Sequence, residues 1–385
     1  MKPIPKILLA CGLSLGLAAC GSSDGVSGGS GSSAAANSIG HVFLVILENE
    51  DYNTSFGADT PAPYLAKTLP AQGALLQDYY STGHESNDNY ISMISGQGPN
   101  PDNQLDCQIF SGFEGTAPNA SLNGQAVGVG CVFPTAVPSL PDQLVARNLS
   151  WKGYMEDMGN TPTRESASCG HPALNSQDNT QTATAADQYA TRHDPFVYFH
   201  SVIDTQSYCD AHVVNLSALY SDLASVASTP NFSFITPNLC HDGHDSPCAD
   251  GEPGGLVSAN LFLQTLVPEI LASPAFQQDG LLLVTFDESG GPQSDSSACC
   301  GELPGINTPL DGLTGLGGGK IGAVMVSHFI KPGTVSTTSY NHYSMLRSFE
   351  DIFGLQYLGY AGASGQASFG SDVYSQAMPV LPSKN

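Results

Sequence analysis

The sequence is short of positive charge. It has 11 lysines and arginines against 35 aspartates and glutamates, which gives a formal net charge of −24 at pH 7. A surface of this sign repels nucleic acids and anionic membranes, so we expect no nucleic-acid partner. Any anionic substrate must therefore be held by local cations, either metal ions or protonated histidines.

Long apolar runs are also missing beyond the first twenty residues, so we expect no later membrane span. At the start, Lys2 and Lys6 precede an apolar core at 7–17, a pattern typical of a secretory signal peptide over residues 1–19. The signal ends in "LAAC", which is similar to a bacterial lipobox and predicts lipid attachment at Cys20. A plain signal peptide is the alternative. We expect an exported protein that is either anchored to a membrane of a bacterial envelope through Cys20 or secreted.

Few segments of low complexity interrupt the chain. Residues 20–38 are rich in Gly, Ser and Ala and predict a flexible tether behind the lipidated cysteine. No second segment of this kind divides the remainder. We therefore expect residues 39–385 to form one domain with a large core. The sequence carries no prediction of oligomeric state.

The cysteines favour disulfide bonds. Cys11 lies in the signal and Cys20 is the predicted lipid site, which leaves eight of the ten cysteines. An even number in an exported chain is typical of disulfides, and zinc binding through Cys240 and Cys248 is the alternative. The simplest arrangement pairs neighbours along the chain: Cys107 with Cys131, Cys169 with Cys209, and Cys240 with Cys248, which leaves the adjacent Cys299 and Cys300.

The apolar pattern indicates a layered α/β domain with a mainly parallel sheet. Continuous runs of aliphatic and β-branched residues, typical of strands covered on both faces, predict strands at 41–47, 232–236, 281–286 and 321–327. Helical patterns occur at 86–95, 140–147, 211–226, 258–271 and 342–353. The segment from about 97 to 210 is rich in Gly, Pro and Asn and contains four cysteines, and it predicts disulfide-pinned excursions from the sheet.

Polar residues follow the first three predicted strands. Glu48 and Asn49 follow the first strand, "PNLCHDGHD" at 237–245 follows the second, and Asp287 and Glu288 follow the third. Ligands of open α/β sheets bind at the carboxyl ends of the strands. Carboxylate and amide oxygens are ligands for Mg²⁺, Ca²⁺ or Mn²⁺, and converging carboxylates without a cation are costly. The pattern predicts a metal site, with helix caps or solvent-facing loop acids as the alternative.

A serine and several histidines are candidates for catalysis. Ser86 opens the predicted helix 86–95, where free N–H groups suit a phosphate; a simple N-cap is the alternative. His241, Asp242 and His244 form a dense cluster, and His342 opens another predicted helix. Imidazoles can bind a metal, hydrogen-bond phosphate oxygens or protonate a leaving group, whereas His342 could merely cap its helix.

A series of sequence blocks resembles a known family. In chain order they are "HVFLVILENEDYNTSFG", "GHESNDNYISMISG", "SWKGYMEDM", "RHDPFVYF", "FSFITPNLCHDGHD", "VTFDESGG" and "NHYSMLRSFEDIFGL". They are similar to the bacterial phosphoesterase family of secreted acid phosphatases and phosphatidylcholine-type phospholipases C, in the alkaline-phosphatase-like superfamily. The resemblance covers most of the chain and implies an alkaline-phosphatase-like layered α/β/α domain.

The resemblance also implies roles for individual residues. It implies metal ligands at Glu48, Asn49, Ser86, Asp287 and Glu288. It places Asp242, His244 and His342 around the phosphate, with His241 and His84 as weaker candidates. The metal stays open among Ca, Mg, Mn and Zn. The family pattern around the nucleophile has two prolines where this chain has Glu85 and Asp88, so the preferred ester or the pH optimum is in doubt.

The function implied is that of an exported metal-dependent phosphoesterase. The acid phosphatase side of the family is closer because the chain is short and has no evident extra C-terminal domain. We therefore expect hydrolysis of phosphomonoesters, small or on a phospholipid head group, through a phosphoserine at Ser86. A phospholipase C or another phosphodiesterase is the alternative. A non-catalytic, surface-anchored binding lipoprotein is an alternative of a different class.

Overall fold

The structure is a computed structural model, and it describes residues 38–308 and 310–375. The predicted signal peptide, Cys20 and the tether up to residue 37 lie outside the described residues. The strands are β1 His41–Leu47, β2 Ala74–Leu76, β3 Tyr79–Tyr80, β4 Glu114–Gly115, β5 Gly128–Val129, β6 Trp151–Met155, β7 Val213–Asn215, β8 Phe232–Thr236, β9 Gly280–Phe286, β10 Ala323–Ser327, β11 Thr334–Ser336 and β12 Tyr340–Asn341. The α-helices are α1 Tyr52–Phe56, α2 Ser86–Ser95, α3 Leu140–Ala146, α4 His200–Ile203, α5 Gln206–His212, α6 Ala218–Asp222, α7 Gly255–Ala272, α8 Pro274–Asp279 and α9 His342–Phe353.

The central sheet has eight strands in the order β11-β2-β10-β9-β1-β8-β6-β7. Within it, β10 alone runs antiparallel to its neighbours, and the other pairings are parallel. Every residue of β1 and β9 is buried, which explains why these strands are continuously apolar rather than alternating. The predicted α/β class with a mainly parallel sheet is confirmed.

Helices cover both faces of this sheet. Phe232 and Phe234, which share a face of β8, contact Phe349 of α9 and Tyr90 of α2, with ring centroids 5.6 and 6.0 Å apart. Val42 is the register partner of Phe232, so the next residue, Phe43, points to the opposite face. There it meets Phe276 of α8 at 6.3 Å. The order of layers is therefore helix, sheet, helix.

One predicted helix is wrong. The segment 211–226 instead contains the end of α5, strand β7 and helix α6. Val213 and Val214 pair in parallel with Gly153 and Tyr154 of β6, and the ladder bonds of that pairing outweigh a weak helical pattern. Strand β6 also corrects the interpretation of 97–210 as excursions only, because it pairs with β8 inside the sheet.

Helix α7 corrects the expectation that no later segment is long and apolar enough for a membrane. Its 18 residues have a mean hydropathy of 1.4, which passes that test by length and composition. Its buried residues include Leu263, Leu266 and Ile270, as in the core helix of a globular domain. The feature is therefore weak evidence for a membrane span.

The predicted neighbour pairing of cysteines is confirmed. The disulfides are Cys107–Cys131, Cys169–Cys209 and Cys240–Cys248, and the adjacent Cys299 and Cys300 are bonded to each other. The zinc alternative for Cys240 and Cys248 is therefore not seen.

Candidate active site

Three adjacent strands bring the acidic residues together. In the order β9-β1-β8 the strands are parallel, so their carboxyl ends meet at one edge of the sheet. The backbone N–H of Glu48 donates to the carbonyl oxygen of Asp242 at 2.8 Å. The N–H of Asp287 donates to the carbonyl of Leu47, also at 2.8 Å. The convergence predicted from the strand ends is therefore present.

Asn49 connects two of these strand ends. Its backbone N–H donates to Asp287 Oδ1 at 3.0 Å, and its side-chain Nδ2 donates to Glu288 Oε1 at 2.7 Å. The residue has a φ of 44°, in the left-handed region that asparagine tolerates better than most residues. Its side-chain Oδ1 is buried and has no hydrogen-bond partner. That oxygen is free to bind a ligand.

Ser86 is the first residue of α2, and Glu85 occupies the N-cap position. Its hydroxyl does not cap the helix but donates to Glu48 Oε2 at 2.9 Å. The partly positive helix N-terminus lies at the same point, where it favours an anion. The structure thus joins a serine hydroxyl, a carboxylate acceptor and an anion-favouring helix end.

Two aromatic residues that the sequence analysis did not single out for the site contact Glu48. Tyr90, one turn after Ser86 on α2, donates its hydroxyl to Glu48 Oε1. The ring of His193 stacks on Tyr90 with centroids 5.2 Å apart and planes 8° apart, and its Nε2 lies 3.4 Å from Glu48 Oε2. The i, i+4 spacing of Ser86 and Tyr90 was a readable signal, because it places both side chains on one helix face. His193 lies in the family block "RHDPFVYF", but no local spacing marks it as a neighbour of Glu48.

The electrostatics of the cluster call for a cation. Burial, reinforced by Asp287 and Asp242, raises the pKa of Glu48 well above its usual value. Burial, reinforced by Asp287 and Asp88, does the same to the pKa of Glu288. Besides Asn49 Oδ1, the oxygens Asp242 Oδ2 and Asp287 Oδ2 are buried without a partner. Buried, unpaired oxygens among mutually repelling carboxylates fit a hard divalent cation.

The histidines that the sequence analysis named lie at different positions relative to the acidic cluster. His342 is buried, with Nε2 2.6 Å from the Asp287 carbonyl oxygen and Nδ1 3.1 Å from the Tyr79 hydroxyl. Burial lowers the pKa of His342 to about 4, so the ring is neutral near neutral pH and supports the Asp287 strand end. The helix cap is instead Asn341, whose side chain accepts from Ser344 N–H at 2.9 Å.

Two other histidines border the cluster. His84 is buried, with Nδ1 in contact with the Glu288 carboxylate and Nε2 3.1 Å from the Asp295 carbonyl oxygen. His244 is exposed, and its N–H donates to Asp242 Oδ1 at 2.9 Å, so it stands at the solvent side of the acidic cluster. Its accessibility suits contact with a substrate.

His241 is not brought into the cluster. Its Nδ1 contacts Glu156 at 2.9 Å, its Nε2 lies 3.7 Å from Glu252, and its ring packs against Phe262 of α7. Burial lowers the pKa of His241, but Glu156, Glu252 and Asp157 outweigh burial and raise the pKa above its usual value. Although Cys240, His241 and Glu252 lie close enough to suggest a metal site, the Cys240 sulfur is already in a disulfide.

Arg192 supplies positive charge that the sequence analysis missed. Its side chain is only 12% exposed, and its Nε lies 3.7 Å from Asp106 Oδ2. Its backbone carbonyl accepts from Asn87 Nδ2 at 3.2 Å, which ties it to the first turn of α2. The charges of Glu48 and Asp242 also act on its guanidinium. A largely buried guanidinium near the acids of the cluster suits phosphate oxygens.

Asp88, one of the two acids that replace prolines, is buried, and neither carboxylate oxygen has a partner. Burial, reinforced by Asp311, Asp106 and Glu85, raises its pKa well above the usual value. Asp88 therefore carries less charge near neutral pH than the sequence implies.

The family model for the phosphoesterase family matches residues 59–356, which is most of the chain. The chain belongs to the phosphoesterase family. The match includes Ser86, Asp242, Asp287, Glu288 and His342, whereas Glu48 and Asn49 lie just before it.

Several curated proteins that are similar to this chain are named as phosphatases. A probable acid phosphatase of Kluyveromyces lactis is 26% identical over 317 residues, which is 82% of this chain and 59% of the relative. The phosphatidylinositol-3-phosphatase of Mycobacterium tuberculosis is 26% identical over 83% of this chain and 79% of its own length. The chain thus spans little more than half the length of the fungal phosphatases that it matches.

Among solved structures, a protein in the alkaline phosphatase superfamily from Vibrio parahaemolyticus matches with a TM-score of 0.45 and 12% identity. The match covers 82% of this chain and 67% of that protein. A likeness this distant adds nothing to the architecture already described for this phosphoesterase.

Proposed function

We propose that this phosphoesterase hydrolyses phosphomonoesters as a metal-dependent acid phosphatase, through a phosphoserine at Ser86. The observation that carries the proposal is the hydrogen bond from the Ser86 hydroxyl to the buried Glu48 carboxylate at a helix N-terminus. A serine in this position has both a proton acceptor and a place for the phosphate.

A divalent cation would be held by oxygens of Glu48, Asn49, Ser86, Asp287 and Glu288, whose donor set fits it. When bound, such a cation would lower the pKa of the serine hydroxyl and neutralise charge on the phosphoryl group. The unpaired Asn49 and Asp287 oxygens support this assignment. The ligands are oxygens, without a thiolate or an imidazole nitrogen among them, and such a set suits Ca, Mg and Mn better than Zn.

Separate residues of the chain carry out the steps of the reaction. Ser86 Oγ attacks phosphorus in line and forms an O–P bond as the ester O–P bond breaks, and its proton passes to the Glu48 carboxylate. Arg192 binds non-bridging phosphate oxygens during this step. His244, exposed at the mouth, protonates the departing alkoxide. Water then attacks the phosphoserine: its oxygen bonds to phosphorus as the Ser86 O–P bond breaks, one of its protons passes to His244, and Glu48 returns its proton to Ser86 as phosphate leaves.

The roles of the other predicted catalytic residues follow from their contacts. Asp242 orients the 242–244 turn through its bond to the His244 N–H. His342 holds the Asp287 backbone as a neutral ring rather than acting as the acid. His84 orients Glu288 by contacting its carboxylate.

The names of the relatives favour monoesters over diesters. Both the acid phosphatases and the phosphatidylinositol-3-phosphatase are named as phosphatases. The substrate class therefore includes small phosphomonoesters and phosphorylated lipid head groups. Turnover of phosphatidylcholine that exceeds turnover of p-nitrophenyl phosphate would instead favour the phospholipase C alternative.

The proposal is tested with Ser86→Ala. We expect a loss of p-nitrophenyl phosphate turnover of at least about a thousandfold, since removal of a catalytic serine can cost an enzyme about a millionfold in kcat. Ser95→Ala is the matched control, because Ser95 lies on the same helix and its hydroxyl bonds backbone groups, donating to the Ile91 carbonyl and accepting from the Gln97 N–H. Near-full turnover in Ser86→Ala would refute the phosphoserine. Ligand binding without turnover in the metal-loaded wild type would favour the non-catalytic lipoprotein.

Export and lipid anchoring are part of the proposal. They are supported by the signal and lipobox pattern at the start of the chain and by disulfides, which are typical of oxidising compartments. In a bacterial host that processes lipoproteins, we expect labelled palmitate on the wild type and none on Cys20→Ser. Unlabelled wild-type protein in the medium would indicate plain secretion.

A further inference from the structure

Tyr90 and Ser86 each donate a hydrogen bond to a different oxygen of the Glu48 carboxylate. Both side chains project from one face of α2, one turn apart, toward the end of β1. The Tyr90 hydroxyl donates to Oε1, whereas the Ser86 hydroxyl donates to Oε2. Glu48 is fully buried. Oε1 therefore accepts from Tyr90, whereas Oε2 accepts from Ser86 and also lies 3.4 Å from His193 Nε2.

The ring of His193 holds Tyr90 in this position. The two rings are nearly parallel, at 8°, with centroids 5.2 Å apart, and both residues are buried. Phe234 of β8 contacts Tyr90 at 6.0 Å. The phenol is thus packed by its neighbours and cannot swing away from Glu48 without opening the core.

We propose that Tyr90, held by His193, restricts Glu48 to binding a cation through Oε2 alone and so selects a small octahedral cation over Ca²⁺. The inference rests on the proposed metal site. The Tyr90 hydroxyl occupies Oε1, so Glu48 presents one oxygen on the side of Ser86. Ca²⁺ accommodates two-oxygen carboxylate binding and six to eight ligands, whereas Mg²⁺ takes octahedral sites with single-oxygen ligands. Tyr90 is therefore a positioning residue and does not touch the substrate.

The test is calorimetric titration of the metal-free, full-length protein with MgCl₂ and with CaCl₂. Loss of an outer partner of a metal ligand costs about 10–100-fold in metal affinity. In Tyr90→Phe we expect a loss of this size for Mg²⁺ and a clearly smaller loss for Ca²⁺, so that the ratio of the two dissociation constants moves toward Ca²⁺ by about tenfold. The readout does not depend on turnover.

Tyr154→Phe is the matched control. Tyr154 is also buried, and its hydroxyl donates to the Asp222 carboxylate at 2.8 Å on β6, away from Glu48. Its removal should leave the Mg²⁺ to Ca²⁺ ratio unchanged. An equal loss for both ions in Tyr90→Phe, or the same ratio as in Tyr154→Phe, would overturn the inference.

His193 variants provide a second measurement should Tyr90→Phe fold poorly. His193→Ala removes the ring that holds Tyr90, and we expect the ratio to move in the same direction. His193→Phe keeps a ring stacked on Tyr90 and should return the ratio of the Mg²⁺ and Ca²⁺ dissociation constants to the wild-type value. A ratio that stays at the His193→Ala value would contradict the role of ring stacking. A wild type that binds neither ion would refute the metal site of the proposed function itself, which separates that failure from failure of the inference about Tyr90.

Discussion

If the proposed cation site is occupied, removal of the cation should destabilise the protein, and more so as the pH rises. Glu48 and Glu288 are buried carboxyl groups whose pKa values are raised, chiefly by burial and then by Asp287. A carboxyl with a higher pKa in the folded state binds more protons there than in the unfolded chain. The free energy of unfolding of the metal-free protein therefore falls as the pH rises from about 4 through the raised values.

A bound cation removes this penalty because it stabilises the carboxylates in their ionised form. At a free cation concentration of 100 times the dissociation constant, binding adds about 2.7 kcal/mol to the free energy of unfolding. In a domain of this size each kcal/mol moves the melting temperature by roughly 2 °C, so we expect the cation-loaded protein to melt about 5 °C above the metal-free protein. This difference in melting temperature should widen from pH 5 to pH 8.

The assay is thermal unfolding after dialysis against a chelator, with and without added cation, at pH 5, 6, 7 and 8. Asp287→Asn is informative, since it removes one of the repelling charges. We expect this variant to melt higher than the metal-free wild type at pH 8 and to gain little from the cation. Asp222→Asn breaks the contact with Lys152, which lies outside the acidic cluster. This variant should melt at a lower temperature but keep the same difference in melting temperature with and without the cation. A wild-type difference that is absent, or that narrows as the pH rises, would refute the reasoning.

Further predictions concern the other contacts. His241→Asn should change kcat and KM on p-nitrophenyl phosphate by less than about twofold, because its ring contacts lie outside the cluster; a hundredfold fall in kcat would place it among the reacting groups. Leu283→Ala, fully buried in β9, should cost about 2–5 kcal/mol in urea unfolding, and a loss below 1 kcal/mol would contradict its place in the core. The double variant Cys169→Ser, Cys209→Ser opens a loop with a sequence separation of 40 and should cost about 4 kcal/mol by the loop-entropy relation, whereas unchanged unfolding would show that the bond adds no stability.

The sequence predicted best where one local pattern decides the structure. Strand β1, strand β8 and helices α2 and α9 have the predicted bounds, because each is a strongly apolar or periodic segment with a clear polar start or end. The segment 211–226 was mispredicted because Val213 and Val214 gain their strand conformation from pairing with β6, a partner distant in sequence. Such pairing leaves little trace in a local pattern.

The candidate site divides in the same way. The sequence by itself determined that Glu48, Asn49, Asp287 and Glu288 follow strands and that Ser86 opens a helix, because residue type and position after an apolar run or before a helix are local properties; their roles as ligands and nucleophile stay predictions. Only the tertiary structure decided that His342 is neutral and supports a strand end, and that His241 lies apart. It also brought His193 and Arg192 to the acids. Burial, ring stacking and strand order depend on contacts between segments that are far apart along the chain.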